Sequence, residues 1–412
     1  MGPMALFDKS FIQSLSENES VWFDHFFLTN VCPLFYVETL ADLEKPTKSR
    51  SARQEVAIIA RKYPETQSGP CAYHQDLVVG DLLGQYVPMT GQVPLATSRL
   101  VEVHGEVGAV SEDSPVADAF QRWQRQESLQ IERLYASAWR KSLGSAGRGY
   151  VTSVLWPLGL DAERCKTLEA AKRLADSVMS DNERARALLD IALSLPDIRE
   201  HDRLRIAQRW SAAGSPPLAR HAPYAAFVLG VDVFFALALA ASLISGERPS
   251  NRVDIAYLYY LPFCVLFVSS DKLHRSCAPL FLREDQEFVW GGDLKKDLGS
   301  IDVHYQGLPV EVRERGIWAF ASYPPQEGRS LVASLWDRHL PGWRQTGADK
   351  PPKRGSGPAA VLDRVRSMRQ SPTISHGEVT LDPRDVRGVV VQHRVRRVKG
   401  SWYQVPRDHP PD

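Results

Sequence analysis

Two apolar runs in this chain end in a carboxylate. MALF, residues 4–7, runs into Asp8, and CVLFVSS, residues 264–270, runs into Asp271. Alone, each Asp reads as a helix N-cap, whose oxygen accepts the free backbone N–H groups of a first turn. Two further acids have equally ordinary readings. Glu38 flanks an apolar helical stripe, and Asp254 is a favourable charge in the first turn of a helix. Gathered in one half-buried cleft, the four would repel one another and their pKa values would rise. Burying even one unpaired charge is costly, and a divalent cation relieves the cost. Hard Mg²⁺ or Mn²⁺ prefers oxygen ligands, keeps several waters and bridges to phosphate oxygens. The chemistry such a site suits is phosphodiester hydrolysis, with the metal activating water.

A parallel sheet is the element that would gather them. Ligands of α/β sheets bind just outside the carboxyl ends of the strands. If 4–7 and 264–270 are neighbouring parallel strands, Asp8 and Asp271 emerge on one rim. Helices are expected from near Asp8, over 19–27 and over 34–45, where Val37, Leu40, Ala41 and Leu43 have helical spacing. Pro46 ends the last of these. Residues 77–110 read as strand-rich, 115–143 as one charged amphipathic helix, and 161–213 as helical. A helix over 251–261 feeds the strand that ends at Asp271.

Composition excludes little. The chain has 412 residues, 43% hydrophobic and 24% charged, with a net charge of +1, so any nucleic-acid contact must come from a local basic patch. The five cysteines are scattered without a CxxC pair, which fits a reducing, cytoplasmic setting rather than a disulfide framework. Cys71 and His74 have a CxxH spacing with no second pair nearby, too little for a metal site. No signal peptide is expected from the N-terminus. Residues 225–244 are long and apolar enough for a bilayer span, but Asp232 lies inside them. A mid-membrane Asp costs roughly 2.5–3.5 kcal/mol, so a buried core helix is expected and no membrane contact.

The strand-Asp at the N-terminus, the Glu in FYVETLADL, the Asp before an apolar helix turn and the FVSSD that closes a strand resemble the PIN domain. That resemblance implies a three-layer α/β/α core around a short parallel sheet. It implies an Mg²⁺- or Mn²⁺-dependent ribonuclease of a family that includes many bacterial toxins of toxin–antitoxin pairs. It implies that Asp8, Glu38, Asp254 and Asp271 are the acidic set, with Asp8 and Asp271 as direct or water-mediated ligands. Glu38 and Asp254 would complete the shell or orient the attacking water, with Asp42, one turn after Glu38, in reserve. A Ser or Thr two residues before the last Asp is usual in the family, and Ser269 matches it; Ser269 or Ser270 would bond a carboxylate or phosphate. Lys272 and His274 follow the strand tip and could contact phosphate, though both also read as solvated helix positions.

The resemblance covers roughly 4–45 and 225–285, so residues 46–224 are expected as an insertion of mixed helix and strand. Residues 286–344 would extend the core, and 345–412 would be a linker and basic tail. RNA could be held by Lys48, Arg50, Arg53, Arg61 and Lys62, or by Arg394, Arg396, Arg397 and Lys399 with Trp402 and Tyr403 beside them. The plainer reading of both clusters is solvated surface. The insertion carries Trp123, Leu129, Leu134, Tyr135 and Trp139 at a spacing that reads first as packing. The alternative function is a PIN-like scaffold without catalysis, acting through protein contacts of the insertion.

Overall fold

The computed structural model describes residues 2–45, 50–96, 98–111, 115–144, 148–194, 198–248, 250–326, 329–346, 358–374, 388–391 and 393–408. Its strands are β1 (Met4–Phe7), β2 (Leu28–Val31), β3 (Ser68–Pro70), β4 (Ser98–Val103), β5 (Glu106–Ser111), β6 (Leu266–Ser269), β7 (Glu287–Trp290), β8 (Gly388–Val391), β9 (Val398–Lys399) and β10 (Trp402–Tyr403). The class is α/β. Five strands form one parallel sheet in the order β3-β2-β1-β6-β7. From β1 the chain winds outward to β2 and β3, then returns to the other side of β1 for β6 and β7. The reversal falls between β1 and β6, where the crevice of an open parallel sheet opens.

Parallel strands are covered on both faces and therefore read as short apolar runs. In β6 all four residues are buried, and Leu6 and Phe7 pair in register with Phe267 and Val268. The run 264–270 was thus a sound strand signal. The strand β2, LTNV, carried no such signal because two of its residues are polar. Thr29 and Asn30 are buried there because each finds a partner: Thr29 on the Gln67 carbonyl, and Asn30 on the Phe263 carbonyl at 3.1 Å. Edge strand β3, SGP, has neither alternation nor apolar content, and edges tolerate Pro. Because β3 belongs to the main sheet, the sheet takes a strand from within 46–224.

Several expectations need correction. Residues 74–82 form a helix (His74–Leu82), so the strand-rich stretch begins only at β4. The helix expected over 115–143 is two, Pro115–Gln124 and Gln130–Gly144, broken where Gln126 takes φ 61°. Residues 251–263 are a short helix, Asn251–Ala256, that tightens into the 3₁₀ turn Tyr257–Phe263. Residues 286–344, expected as an extension of the core, hold a long helix, Gly291–Gln306. Most of the expected linker, 347–357, lies outside the described residues.

One helix is long and apolar enough to cross a membrane, Pro223–Ala240, and 72% of its apolar window is buried inside the protein. It packs on the helices Leu168–Met179, Arg148–Leu155 and His74–Leu82. Asp232 is accommodated because Tyr150 and Tyr259 donate their hydroxyls to its carboxylate at 2.8 and 2.7 Å. The Arg252 guanidinium lies over the Tyr150 ring, 3.8 Å from its centroid.

The C-terminal basic segment is docked rather than free. Trp402 is fully buried and donates its indole N–H to Asp302, while the Lys399 ammonium is buried on the Tyr63 carbonyl. Arg396 pairs with Glu65 and Glu17. The β9–β10 turn passes so close to Asn18 that a Cβ on Gly400, at φ 57°, would collide with its side chain.

Candidate functional site

Asp8 follows β1 directly and sits beside Ser269 across the sheet, its backbone N–H on the Val268 carbonyl. The side chain is a helix cap, as the sequence allows, with Oδ1 accepting from the Phe11 N–H at 3.0 Å. Its second oxygen does more. Oδ2 accepts from Ser10 at 2.6 Å and from Ser269 at 2.9 Å, and lies 3.4 Å from His274 Nδ1. Burial opposes the carboxylate, but these bonds and the His274 charge hold its pKa below the ordinary value.

His274 is fully buried, not at a phosphate-facing position. Its Nε2 must donate, since its partner is the Asp254 carbonyl at 2.6 Å. Ser269 gives its one hydrogen to Asp8, so the Nδ1 that faces Ser269 at 2.8 Å must donate as well. The ring is therefore an imidazolium. Burial works against that charge, yet Asp8 and Asp254 lift its pKa to about 9. The expectation that His274 contacts RNA is corrected: its ring is committed to holding Asp8, Ser269 and the Asp254 backbone.

Glu38 lies on the helix Pro33–Ala41, and its Oε2 accepts from the Tyr257 hydroxyl. Burial raises its pKa despite the neighbouring Lys9 charge. Lys9 Nζ donates to Asp42 Oδ2 at 2.9 Å and to the Glu38 carbonyl at 3.2 Å. Burial disfavours the ammonium, but Glu38, Asp42 and Asp254 outweigh that and raise its pKa.

Asp254 reports the convergence most directly. Its carboxyl is pushed up to about 7, first by burial, then by the charges of Glu38, Asp271 and Asp8, with His274 acting the other way. Asp271 caps its helix through Oδ1 on the Leu273 N–H at 2.6 Å, and its own N–H donates to Ser269 Oγ at 2.9 Å. Ser269 thus links both strand-end aspartates. Ser270 is different: its buried Oγ has no partner and lies where a Cβ on Gly291 would collide with it.

The oxygens gathered here are carboxylates, the type that hard cations prefer, and Asp254 is lifted to about 7 first by burial and then by its acidic neighbours. The side chains as they stand do not enclose an ion. Among the described residues no group of three or more His, Cys, Asp or Glu is arranged to hold one. Asp8 is turned to Ser10, Ser269 and His274, and Glu38 to the Tyr257 hydroxyl.

Lys9, Ser10 and Tyr257 escaped the sequence reading. Lys9 and Ser10 follow Asp8 immediately, and Tyr257 is three residues after Asp254, one helical turn on; adjacency to the candidate acids was the available signal. The Cys71 thiol is buried, and His74 Nδ1 faces the Tyr260 hydroxyl at 3.2 Å.

The basic residues divide. Lys272 and Arg53 are exposed. Arg50 is exposed and reaches Glu55 at 3.8 Å. Lys62 is buried on the Gln13 carbonyl and leaves the expected patch, and Lys48 lies outside the described residues. No protein-family model, curated protein or solved structure matches the chain.

Proposed function

We propose that this protein is a PIN-like, metal-dependent endoribonuclease that hydrolyses phosphodiester bonds with Mg²⁺ or Mn²⁺ at the Asp8, Glu38, Asp254 and Asp271 cluster. The reading is carried by Asp254, whose carboxyl is lifted to about 7 by burial and by three other acids arriving from separate elements. Such repulsion is costly to fold around unless a cation is its purpose. A bound divalent ion would lower the pKa of its water and neutralise charge on the phosphate. Asp254, poised near neutral pH, is suited to take the proton of the attacking water. Asp271 and Glu38 are suited to hold the ion, and Asp8 to fix Ser269 and, through His274, the Asp254 backbone. Exposed Lys272, Arg50 and Arg53 would meet the RNA backbone by charge. A cytoplasmic setting accords with five buried free thiols.

The test is cleavage of RNA with and without Mn²⁺, comparing wild type with Asp254→Asn, Asp271→Asn and Asp8→Asn, each checked for folding. Cleavage only with metal, reduced by about 100-fold or more in Asp254→Asn and Asp271→Asn, is the expected result. Wild type that cuts no RNA under any metal would favour the second reading, a scaffold without catalysis. That reading is favoured by the ion pairs Asp8–His274 and Asp42–Lys9, which already compensate two of the acids. Its partner surface would be the helix Gln130–Gly144, where Ile131, Leu134 and Tyr135 are exposed.

A further inference from the structure

We infer that Trp290, with Lys272 and Arg275 beside it, is a platform on which an unpaired RNA base stacks at the rim of the sheet. The inference rests on the RNA reading above and adds the form of RNA recognised, a single strand. Trp290 is the last residue of β7 and pairs in register with Ser269, the last residue of β6. It therefore stands on the same carboxyl rim as Asp271, where parallel sheets take their ligands. Its neighbour Val289 is buried in the core, but the Trp290 residue is only partly buried. The indole folds back along the start of the next helix, where a Cβ on Gly292 would lie 3.0 Å from its Nε1.

Other indoles in this chain are anchors. Those of Trp22, Trp123, Trp210, Trp336 and Trp402 each donate to a protein acceptor. The Trp290 N–H has no such acceptor among the described residues. What it has beside it is positive charge. Lys272 and Arg275 lie one turn apart on the helix Lys272–Cys277, both exposed. The Arg275 guanidinium is 5.2 Å from the centre of the Trp290 ring. Neither cation forms an ion pair among the described residues. Cations that follow a backbone and an aromatic face that takes a base are together what holds single strands. A duplex keeps its bases stacked inside and cannot use the ring. A base held at the end of β7 would set its phosphate beside Asp271, at the end of β6.

The test reads binding without cleavage. An oligouridylate carrying 5-iodouridine is mixed with the full chain in the presence of a chelator and irradiated, and the cross-linked residue is mapped by mass spectrometry. Trp290 is the expected residue. By fluorescence anisotropy, Trp290→Leu should weaken binding of the labelled oligouridylate by about 10-fold with its salt dependence unchanged, and Trp290→Phe should keep most of it. Lys272→Gln with Arg275→Gln should weaken binding and flatten the salt dependence. Duplex RNA should compete poorly. Cross-links only at other residues, unweakened binding by Trp290→Leu, or duplex that competes as well as single strand would overturn the platform. Should the wild type still cut RNA with Mn²⁺, the nuclease reading stands without it. Wild type that neither binds nor cuts RNA would remove both. The cross-link is read on wild type, so it decides the matter even if Trp290→Leu fails to fold.

Discussion

Asp8 and His274, 266 positions apart in the chain, form a fully enclosed ion pair with Nδ1 3.4 Å from Oδ2, bridged by the Ser269 hydroxyl. It ties the end of the first strand to the helix Lys272–Cys277 and, through Nε2, to the backbone of Asp254. The pair holds Asp8, Ser269 and the Asp254 backbone together, with His274 fully buried and Asp8 nearly so.

His274 is predicted to be charged at neutral pH. Its imidazole resonances in solution should titrate with a midpoint near about 9, above the ordinary 6.5. Because the folded value is raised, the stabilisation is complete below pH 6.5 and is lost as pH climbs through about 9. The melting temperature of wild type should fall over that window, and His274→Gln should flatten the fall. A midpoint at or below 6.5 would contradict the pairing.

Asp254 acts in a lower window. Its folded pKa is raised from 3.8 to about 7, so its contribution is present below pH 3.8 and lost as pH rises through about 7. Asp254→Asn should remove that decline and stabilise the metal-free protein near pH 7. Thermal melts of the two proteins between pH 4 and pH 8 check it; parallel curves would mean that Asp254 is not crowded by its neighbours.

Asp8→Asn should destabilise the fold by about 3–5 kcal/mol, because it leaves a buried imidazolium without its counter-charge. Adding His274→Gln should recover part of that loss. Urea unfolding of both single variants and the double variant gives the coupling, and strict additivity would show that the pair contributes nothing.

Trp402→Ala should cost about 3–5 kcal/mol. The indole is fully buried, stacks edge-on against Trp22 at 4.8 Å and bonds Asp302. A basic tail waiting for RNA would tolerate the change, so an unaltered unfolding midpoint would restore that picture.

Asp232→Leu should also destabilise, by roughly 1–3 kcal/mol for the Tyr259 hydroxyl left without its acceptor, while Tyr150 keeps the Asp232 backbone carbonyl at 3.2 Å. The loss should be read by the same unfolding measurement, with Tyr259→Phe in the same background regaining part of it. A Leu variant as stable as wild type would mean that the polar knot around this helix is dispensable.

Residue patterns alone placed the strand 4–7 and a strand within 264–270, found at Leu266–Ser269, delivering Asp8 and Asp271 to helix starts, and a core helix with one misplaced-looking acid over 225–244, found at Pro223–Ala240. Those features are local: a short apolar run, a capping residue and an 18-residue apolar stretch state themselves in sequence. Tertiary structure alone decided the rest. Strands β2 and β3 exist because the sheet edge and the Phe263 and Gln67 carbonyls satisfy Thr29 and Asn30, a condition no neighbouring residue encodes. His274 and Lys399 look like surface cations in the sequence, yet both are buried, because the charge or carbonyl that makes burial tolerable comes from hundreds of residues away. Whether a charged side chain faces water or a partner is a property of what the fold brings beside it.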